Sequence, residues 1–486
     1  QFSRVASLGT EGRASAVTVL SQSVVRALQA ETDLDADARK FLAFSDNRQD
    51  ASLQAGHFND FVLVGMIRSA LYRAAADYLE NSGEPLTDES LGPEVVKAVG
   101  GKGLKLFARD EETADEHIPR KKITRALRDV VTYRLWADLR RGWRITMPNL
   151  EQTGQLRLSY EGVSELSADD AKWAYCGEPL ASATTETRTE VMHVLLDELR
   201  RNLCIDTEFL TEEKFDAVRR ASREWLKDPW AISDEAGTYS GLAYAGGRPK
   251  GVVGIGADLY LSGLGACGRW LRRPVRVAGY DLKTKDADAL IEYLMDVMAK
   301  AGILVRIAVP KRPTGYQLRA DLIAWHPGDG DHRAPDPLRS NQTEGRVNPY
   351  FKTLYAETAK FLVGLEAREH TAQVEPSKRQ KREEEFSEAR LPVLYCSPTM
   401  ELGVDIKSLN VVGMRNVPPT PANYAQRSGR AGRSGQPAVT LTYCATGNAH
   451  DAYYFRRSQD MVAGAVAPPR LELGNQDLVR AHAHSI

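Results

Sequence analysis

Three arginines, Arg427, Arg430 and Arg433, recur three residues apart in the string Tyr424-Ala425-Gln426-Arg427-Ser428-Gly429-Arg430-Ala431-Gly432-Arg433. A guanidinium is always charged and presents a planar fork of donors, so it matches phosphate oxygens two at a time. Thr420-Pro421, just upstream, is a helix-start signal, because Thr420 can cap and Pro421 is pre-set for the first helical position. A helix begun there puts Arg427 and Arg430 near one face, with Arg433 in the next turn. Gly429 and Gly432 carry no side chain, which leaves the backbone open to a large anion. Fixed forks beside open backbone suit a triphosphate whose charge must be neutralised as it transfers. The same string also reads as a solvated Gly/Arg loop that holds nucleic-acid phosphate loosely.

A second string decides between these readings. After the apolar run Val393-Leu394-Tyr395-Cys396 comes Ser397-Pro398-Thr399-Met400-Glu401-Leu402-Gly403-Val404-Asp405-Ile406. The two strings, in this order and at this distance, resemble motifs V and VI of superfamily 2 helicases. That resemblance implies that Arg430 and Arg433 are arginine fingers, reaching the γ-phosphate of ATP bound to another motor domain. It implies that Gly403, Asp405, Gln426 and Arg427 contribute to the ATP cleft, and that Thr399 lies near the nucleic-acid backbone. A third string, Phe44-Ser45-Asp46-Asn47-Arg48-Gln49-Asp50-Ala51-Ser52, ends the short apolar strand Lys40 to Phe44 and precedes a long helical pattern. It resembles motif IV of the branch containing large helicase-related proteins, mitomycin-repair helicases and the helicases of DISARM anti-phage systems. By that resemblance Ser45, Asn47 and Arg48 contact nucleic acid; as residues alone, Asn47, Arg48 and Gln49 read equally well as strand-end caps. The region around Glu369 to Gln373 and Arg382 to Phe386 resembles the branch's step before motif V.

Other helicase parts are absent from the sequence. A motor needs a Gly-x-x-x-x-Gly-Lys-[Ser/Thr] phosphate cradle, and no such string occurs. Gly100-Gly101-Lys102-Gly103 lacks the spacing and the hydroxyl, and Asp234-Glu235-Ala236 follows motif IV where a magnesium-binding box should precede it. The expectation is a piece of a longer polypeptide: ATP and Mg2+ are held mainly by a preceding RecA-like domain, and the piece alone is inactive.

Composition agrees and adds little. The 486 residues carry 64 Lys+Arg against 65 Asp+Glu, a net charge of −1, so any nucleic-acid surface must be a local patch. No apolar run approaches the roughly 18 residues of a membrane span. The five cysteines, Cys176, Cys204, Cys267, Cys396 and Cys444, form no close pairs, which points to a reducing cytoplasm rather than a zinc site or disulfide scaffold.

Ordinary connections run about four to six residues, so the stretch between motif IV and the return to the motor must fold as a module. Ile118 to Arg141 alternates basic residues, among them Arg120, Lys121, Lys122, Arg125, Arg128, Arg134 and Arg140, with apolar Ile123, Leu127, Val130, Val131, Leu135 and Leu139. Such a helix faces a nucleic-acid backbone or pairs its arginines with the acidic run Asp110 to Glu116; both readings stand. Lys285 to Ala301 reads as a helix stopped at Gly302, followed by two strands around a Lys311-Arg312-Pro313-Thr314-Gly315 turn. Helix, strand, basic turn, strand is the shape of a winged helix, whose wing residues Lys311 and Arg312 would touch phosphates; other α+β modules share it. Tyr453, Tyr454 and Phe455 read as packing residues before they read as a base-stacking platform.

The resulting expectation is an α/β chain: a RecA-like second motor domain, a parallel sheet with helices on both faces, split by a large, mostly helical insertion with a winged helix. Its parts are a junction helix (1–35), the motor's first segment (36–72), the helical insertion (73–265), the winged helix (266–325), a mobile linker (326–348), the motor's second segment (349–465) and the start of a further region (466–486). The intact protein would be an ATP-dependent DNA helicase or translocase acting on a single strand or a duplex with a single-stranded end, RNA being less favoured. By analogy with the branch, phage defence or DNA repair is its setting, with sister subunits as further partners and no membrane. The rivals are a remodeller that moves without separating strands and a nucleic-acid scaffold with a decayed motor.

Overall fold

The computed structural model describes residues 2–99, 103–140, 147–232, 236–249, 258–273, 280–338, 347–358, 361–398, 409–432 and 436–464, with 480 and 483. The chain divides into two compact units, residues 1–59 with 365–486, and residues 60–364.

The first unit is built on five strands, β1 (Phe41–Phe44), β2 (Ala367–His370), β3 (Val393–Cys396), β4 (Val411–Met414) and β5 (Val439–Thr442). They form one sheet in the order β5-β4-β1-β3-β2, with every pairing parallel. The three central strands read Phe-Leu-Ala-Phe, Val-Leu-Tyr-Cys and Val-Val-Gly-Met, and every one of their residues is buried. Such unbroken apolar runs are what a parallel sheet covered on both faces demands. The edge strands are less buried: β2 is buried only at its two ends, and β5 is nowhere fully buried.

Alternation along β1 explains which helix covers which face. Leu42 and Phe44 pair with Leu394, Cys396 and Val412, and this face packs on Phe386 of α3 (Pro376–Ser387), with Ala431 against it. The opposite face presents Tyr395, whose hydroxyl reaches Ser21 of α1 (Phe2–Ala30) at 2.9 Å and whose ring meets Phe58 of α2 (Arg48–Ser82) edge-on. Helix α4 (Pro421–Ser428) follows β4 and lies on the α3 side, its Arg427 over the Phe44 ring. The doubly covered parallel sheet expected from the sequence is therefore present. Residues 466–479 of the expected further region lie outside the described residues.

The second unit is less uniformly helical than expected: among the described residues it adds seven short strands to its helices. Leu156–Tyr160 pairs antiparallel with Ile323–Pro327, and Gly315–Arg319 pairs with Leu304–Ile307, Ile205–Asp206 and Ala243–Ala245. The helix Thr284–Lys300 and the hairpin after it occur in the expected order. Gly315–Arg319 is not a free-standing wing strand, because those further pairings carry it into a larger sheet. The core is aromatic, with Trp136, Trp173, Trp270 and Trp325 all fully buried. The run expected as a mobile linker is pinned over residues 328–336. Gly328 and Gly330 donate backbone bonds to Gln155 and Gly154, Ala334 donates to Glu151, and Arg201 donates to the Pro335 carbonyl. Its glycine at position 328 serves close backbone approach: a Cβ on Gly328 would lie 2.1 Å from the Gly154 oxygen.

Candidate functional site

In open parallel sheets, ligands sit outside the carboxyl ends of the strands, where neighbouring connections leave on opposite faces. Here the chain leaves β1 toward α2, whereas α4, which follows β4, packs on the α3 side. The residues just past these strand ends are Ser45 to Arg48, Ser397-Pro398, and Arg415-Asn416.

Past β1, the three motif residues do different jobs. Ser45 is fully buried; its hydroxyl donates to the Asn47 and Cys396 carbonyls at 3.1 and 3.3 Å, joining the ends of β1 and β3. Asn47 caps α2, its Oδ1 accepting from the Asp50 amide at 2.8 Å while its Nδ2 donates to the Asp50 carboxylate at 3.1 Å. Arg48, the first residue of the helix, is exposed. Asn47 is exposed too, but both ends of its amide are engaged with Asp50, which leaves Arg48 as the exposed side chain of the three not committed to the cap.

Past β4, Arg415 is buried and turns back to the α2 side, where its Nη1 pairs with Asp50 at 2.9 Å and its Nε donates to Gln54 at 3.1 Å. Gln54 in turn donates to Thr18 and to the Ala14 carbonyl of α1. Burial lowers the Arg415 pKa, and Asp50 opposes that shift. Sequence reasoning missed this residue. Its signal was a cation directly after the apolar run Val411 to Met414, the position where a parallel strand hands over to its ligand-facing loop.

Helix α4 starts as expected: the Thr420 side chain accepts from the Asn423 amide at 3.3 Å, and Pro421 takes the first turn. It ends at Ser428, so Arg427 and Arg430 do not share a face. Arg427 is only 1% exposed. Its Nη1 lies 3.6 Å from the Asp46 carboxylate, and its guanidinium stands over Phe44, 5.7 Å from the ring centroid. Burial raises the Asp46 pKa, Arg427 pulls it back down, and Asp451 and Asp50 raise it further. Gln426 is exposed and Arg430 half-exposed. The Arg430 charge is felt at Cys396 at the end of β3, where it opposes the rise that burial imposes on the thiol. The geometry is a clamp: Arg427 holds α4 against the end of β1, and the residues on either side of it, Gln426 and Arg430, remain accessible.

Gly432 does not leave the room for an anion that its lack of a side chain suggested. It has φ +72°, and a Cβ there would lie 2.6 Å from the Ala438 Cβ and 3.0 Å from the Gln436 carbonyl. The space is filled by the chain's own approach to β5. Thr399, Gly403, Asp405 and Arg433 lie outside the described residues, as do Lys102 and the Asp234-Glu235 pair. In the second unit, Lys311 is exposed at a left-handed turn position, φ 62°, while Arg312 is tied to Asp258 at 2.7 Å. Beyond β5, Tyr454 is half-buried and packs edge-on against the His450 and Tyr453 rings, as the packing role expected first requires, whereas Phe455 is 74% exposed and departs from it.

Residues 341–435 match the helicase conserved C-terminal domain. The match spans β2, α3, β3, β4 and α4, so it covers both strings on which the helicase resemblance was based. This part of the chain is a helicase conserved C-terminal domain, as the resemblance to motifs V and VI implied. Among similar proteins, Druantia protein DruE of Escherichia coli (strain UMEA 4076-1) is 45% identical over 95 residues, 20% of this chain and 5% of that protein. ATP-dependent DNA helicase Q5 of Rattus norvegicus is 31% identical over 100 residues, 21% of this chain and 9% of that one. ATP-dependent helicase HRQ1 of Saccharomyces cerevisiae is 29% identical over 111 residues, covering 23% and 10%. The chain therefore spans a small part of these relatives. Among the described residues of the motor half and the second unit, no group of three or more His, Cys, Asp or Glu side chains is placed to hold a metal ion. No described helix is long and apolar enough to cross a membrane.

Proposed function

We propose that the chain supplies the second motor half of an ATP-dependent DNA helicase or translocase. Arg430 and Arg433 act as arginine fingers on a nucleotide bound by a preceding RecA-like domain. The observation that carries this reading is the Arg427 clamp. A buried guanidinium fixed on Phe44 and Asp46 leaves Gln426 and Arg430 accessible beside the strand ends, as a group meant to meet a ligand from outside this unit requires. Pre-organised cations of this kind act on charge that develops during transfer. Mg2+ would then be held largely by the preceding domain, and no step is assigned to a metal ion on this chain.

On this reading, closure of the two motor domains brings Arg430 and Arg433 to the γ-phosphate, with Gln426, Gly403 and Asp405 lining the cleft. Thr399 and Arg48 contact one nucleic-acid strand, and Ser45 and Asn47 shape the loop that presents Arg48. DNA is favoured over RNA because the relatives at 31% and 45% identity include one named a DNA helicase. The setting, phage defence or DNA repair, is proposed from the motif IV resemblance. Arg430→Ala and Arg433→Ala in the full-length protein should each lower nucleic-acid-stimulated ATP hydrolysis by about 10³-fold or more. Hydrolysis unchanged by both would remove the finger assignment. A strand-displacement assay beside a triplex-displacement assay separates a helicase from a remodeller.

A further inference from the structure

The basic helix of the second unit, His117–Asp138, posed two readings, and its surroundings decide between them. Over residues 117–128 it carries five Lys or Arg and no Asp or Glu, in a chain whose net charge is −1. Its inner side is buried through Ile123, Ala126, Leu127, Val130 and Val131, so the orientation of the opposite side is fixed by core packing. Three of the five carboxylates in the acidic run before it are engaged elsewhere. Asp110 accepts from the Glu112 and Thr113 amides, Glu111 pairs with Lys227 at 2.6 Å, and Asp115 pairs with Lys105 at 3.0 Å.

Two of the five cations are also engaged. Lys122 lies over the Trp225 ring, 4.7 Å from its centroid, and Arg128 pairs with its neighbour Asp129 at 3.3 Å. Among the described residues, Arg120, Lys121 and Arg125 are exposed and make no side-chain hydrogen bond or ion pair. They line, with His117, Thr124 and Arg128, a surface concavity of about 440 Å³. The helix has no acid in its first turn to meet its dipole, and a plain solvated face normally mixes both signs. This arrangement therefore runs against local preference, as functional surfaces do.

We propose that Arg120, Lys121 and Arg125, flanked by His117 and Arg128, form a docking stripe for the phosphodiester backbone of nucleic acid. At 1.5 Å per residue, His117 to Arg128 spans about 16 Å, enough to meet several phosphates, which recur about every 3.4 Å of duplex axis on each strand. The stripe binds without reading sequence, because its cationic side chains meet the backbone rather than base edges. It takes its ligand class from the motor reading and adds a second anchoring point on the other unit, where a motor needs to hold its track while the cleft opens.

The test is a salt titration of the full-length protein with two fluorescein-labelled probes, an oligothymidine strand and a mixed-sequence duplex, between about 50 and 200 mM salt. R120Q/K121Q/R125Q should flatten the log–log salt slope by about 2 on the single strand and about 3 on the duplex. It should also weaken binding at least tenfold at the low-salt end. The charge-conserving R120K/R125K should keep the parent slope. A triple variant with the parent's circular dichroism, slope and affinity would overturn the proposal. So would loss of binding to a polyglutamate probe with nucleic-acid binding intact, which would assign the stripe to an acidic protein partner. The motor reading is scored separately: Arg430→Ala should lower hydrolysis without touching the slope, so either result can fail while the other stands.

Discussion

Replacing Arg427 with alanine separates an anchoring cation from a finger. Arg427 is 1% exposed, so truncation empties a buried slot. Loss of its apolar stem should cost about 2 kcal/mol, the low end for large-to-alanine changes in a core. The guanidinium over Phe44 contributes about 0.5–1 kcal/mol. The pair with Asp46 is long at 3.6 Å, and Asp46 is 38% exposed, so the orphaned carboxylate can rehydrate and that contribution stays below about 1 kcal/mol. The sum is about 3 kcal/mol. For a unit of 150–250 residues that lowers the melting temperature by about 6–12 °C. Arg427→Met keeps most of the stem and should lose about 1 kcal/mol, since apolar replacement of a buried ion is far milder than truncation. The assay is calorimetric melting of the full-length protein, with ATP hydrolysis measured well below the transition. If Arg427→Ala left melting unchanged yet abolished hydrolysis as fully as Arg430→Ala, Arg427 would be acting on nucleotide and the clamp would be refuted.

Arg430→Ala should do the reverse. The half-exposed side chain should cost no more than about 0.5 kcal/mol of stability, while hydrolysis stimulated by nucleic acid falls by about 10³-fold or more; calorimetry and a coupled ATPase assay read the two arms. His370 is buried, with its Nε2 2.6 Å from Glu383. Burial lowers its pKa from the ordinary 6.5, and Glu383 opposes that shift. Between the lowered folded value and 6.5 the unfolded chain binds more protons, so its contribution is complete above 6.5 and is lost as pH falls through that window. Melting followed against pH should show this acid-side loss in the parent and not in His370→Gln. In the second unit, Glu151 accepts from Arg200 twice at 2.8 Å and from Arg201 at 3.4 Å, all three nearly buried. Glu151→Ala leaves two guanidinium groups short of charge compensation and should cost about 3–5 kcal/mol, read by denaturant melting. An unchanged midpoint would mean that the network is dispensable.

The motor half was legible where a single segment carries its own signal. Lys40 to Phe44 and Val393 to Cys396 are apolar, short and followed by polar residues, and both are strands. Thr420-Pro421 announced the start of α4, and the capping bond is there. What was not legible depends on partners distant in sequence. β2 reads Ala-Arg-Glu-His, a string with no strand periodicity, and it is a strand because β3 offers it an open edge. Leu156–Tyr160 finds Ile323–Pro327 across more than a hundred and sixty residues, as its Ser159–His326 contact shows. No local pattern encodes that register.

Arginine was the hardest residue to read, and for one physical reason. In sequence a guanidinium counts as surface charge, yet Arg68, Arg188, Arg200 and Arg427 are among the largest fully buried side chains here. Arg68 donates to both Asp138 oxygens, to two carbonyls and to the Tyr355 hydroxyl. Arg188 spreads its donors over three carbonyls and Asp170. Five donors in a rigid fork can be satisfied by scattered acceptors that no spacing rule connects. Motif spacing therefore finds the arginines of a phosphate site but cannot separate those that face the ligand from those that hold the facing ones still. Arg427 and Arg430, three residues apart, are one of each on the reading proposed here. The difference between them was set by where α4 stops, and by Phe44 and Asp46, nearly four hundred residues upstream.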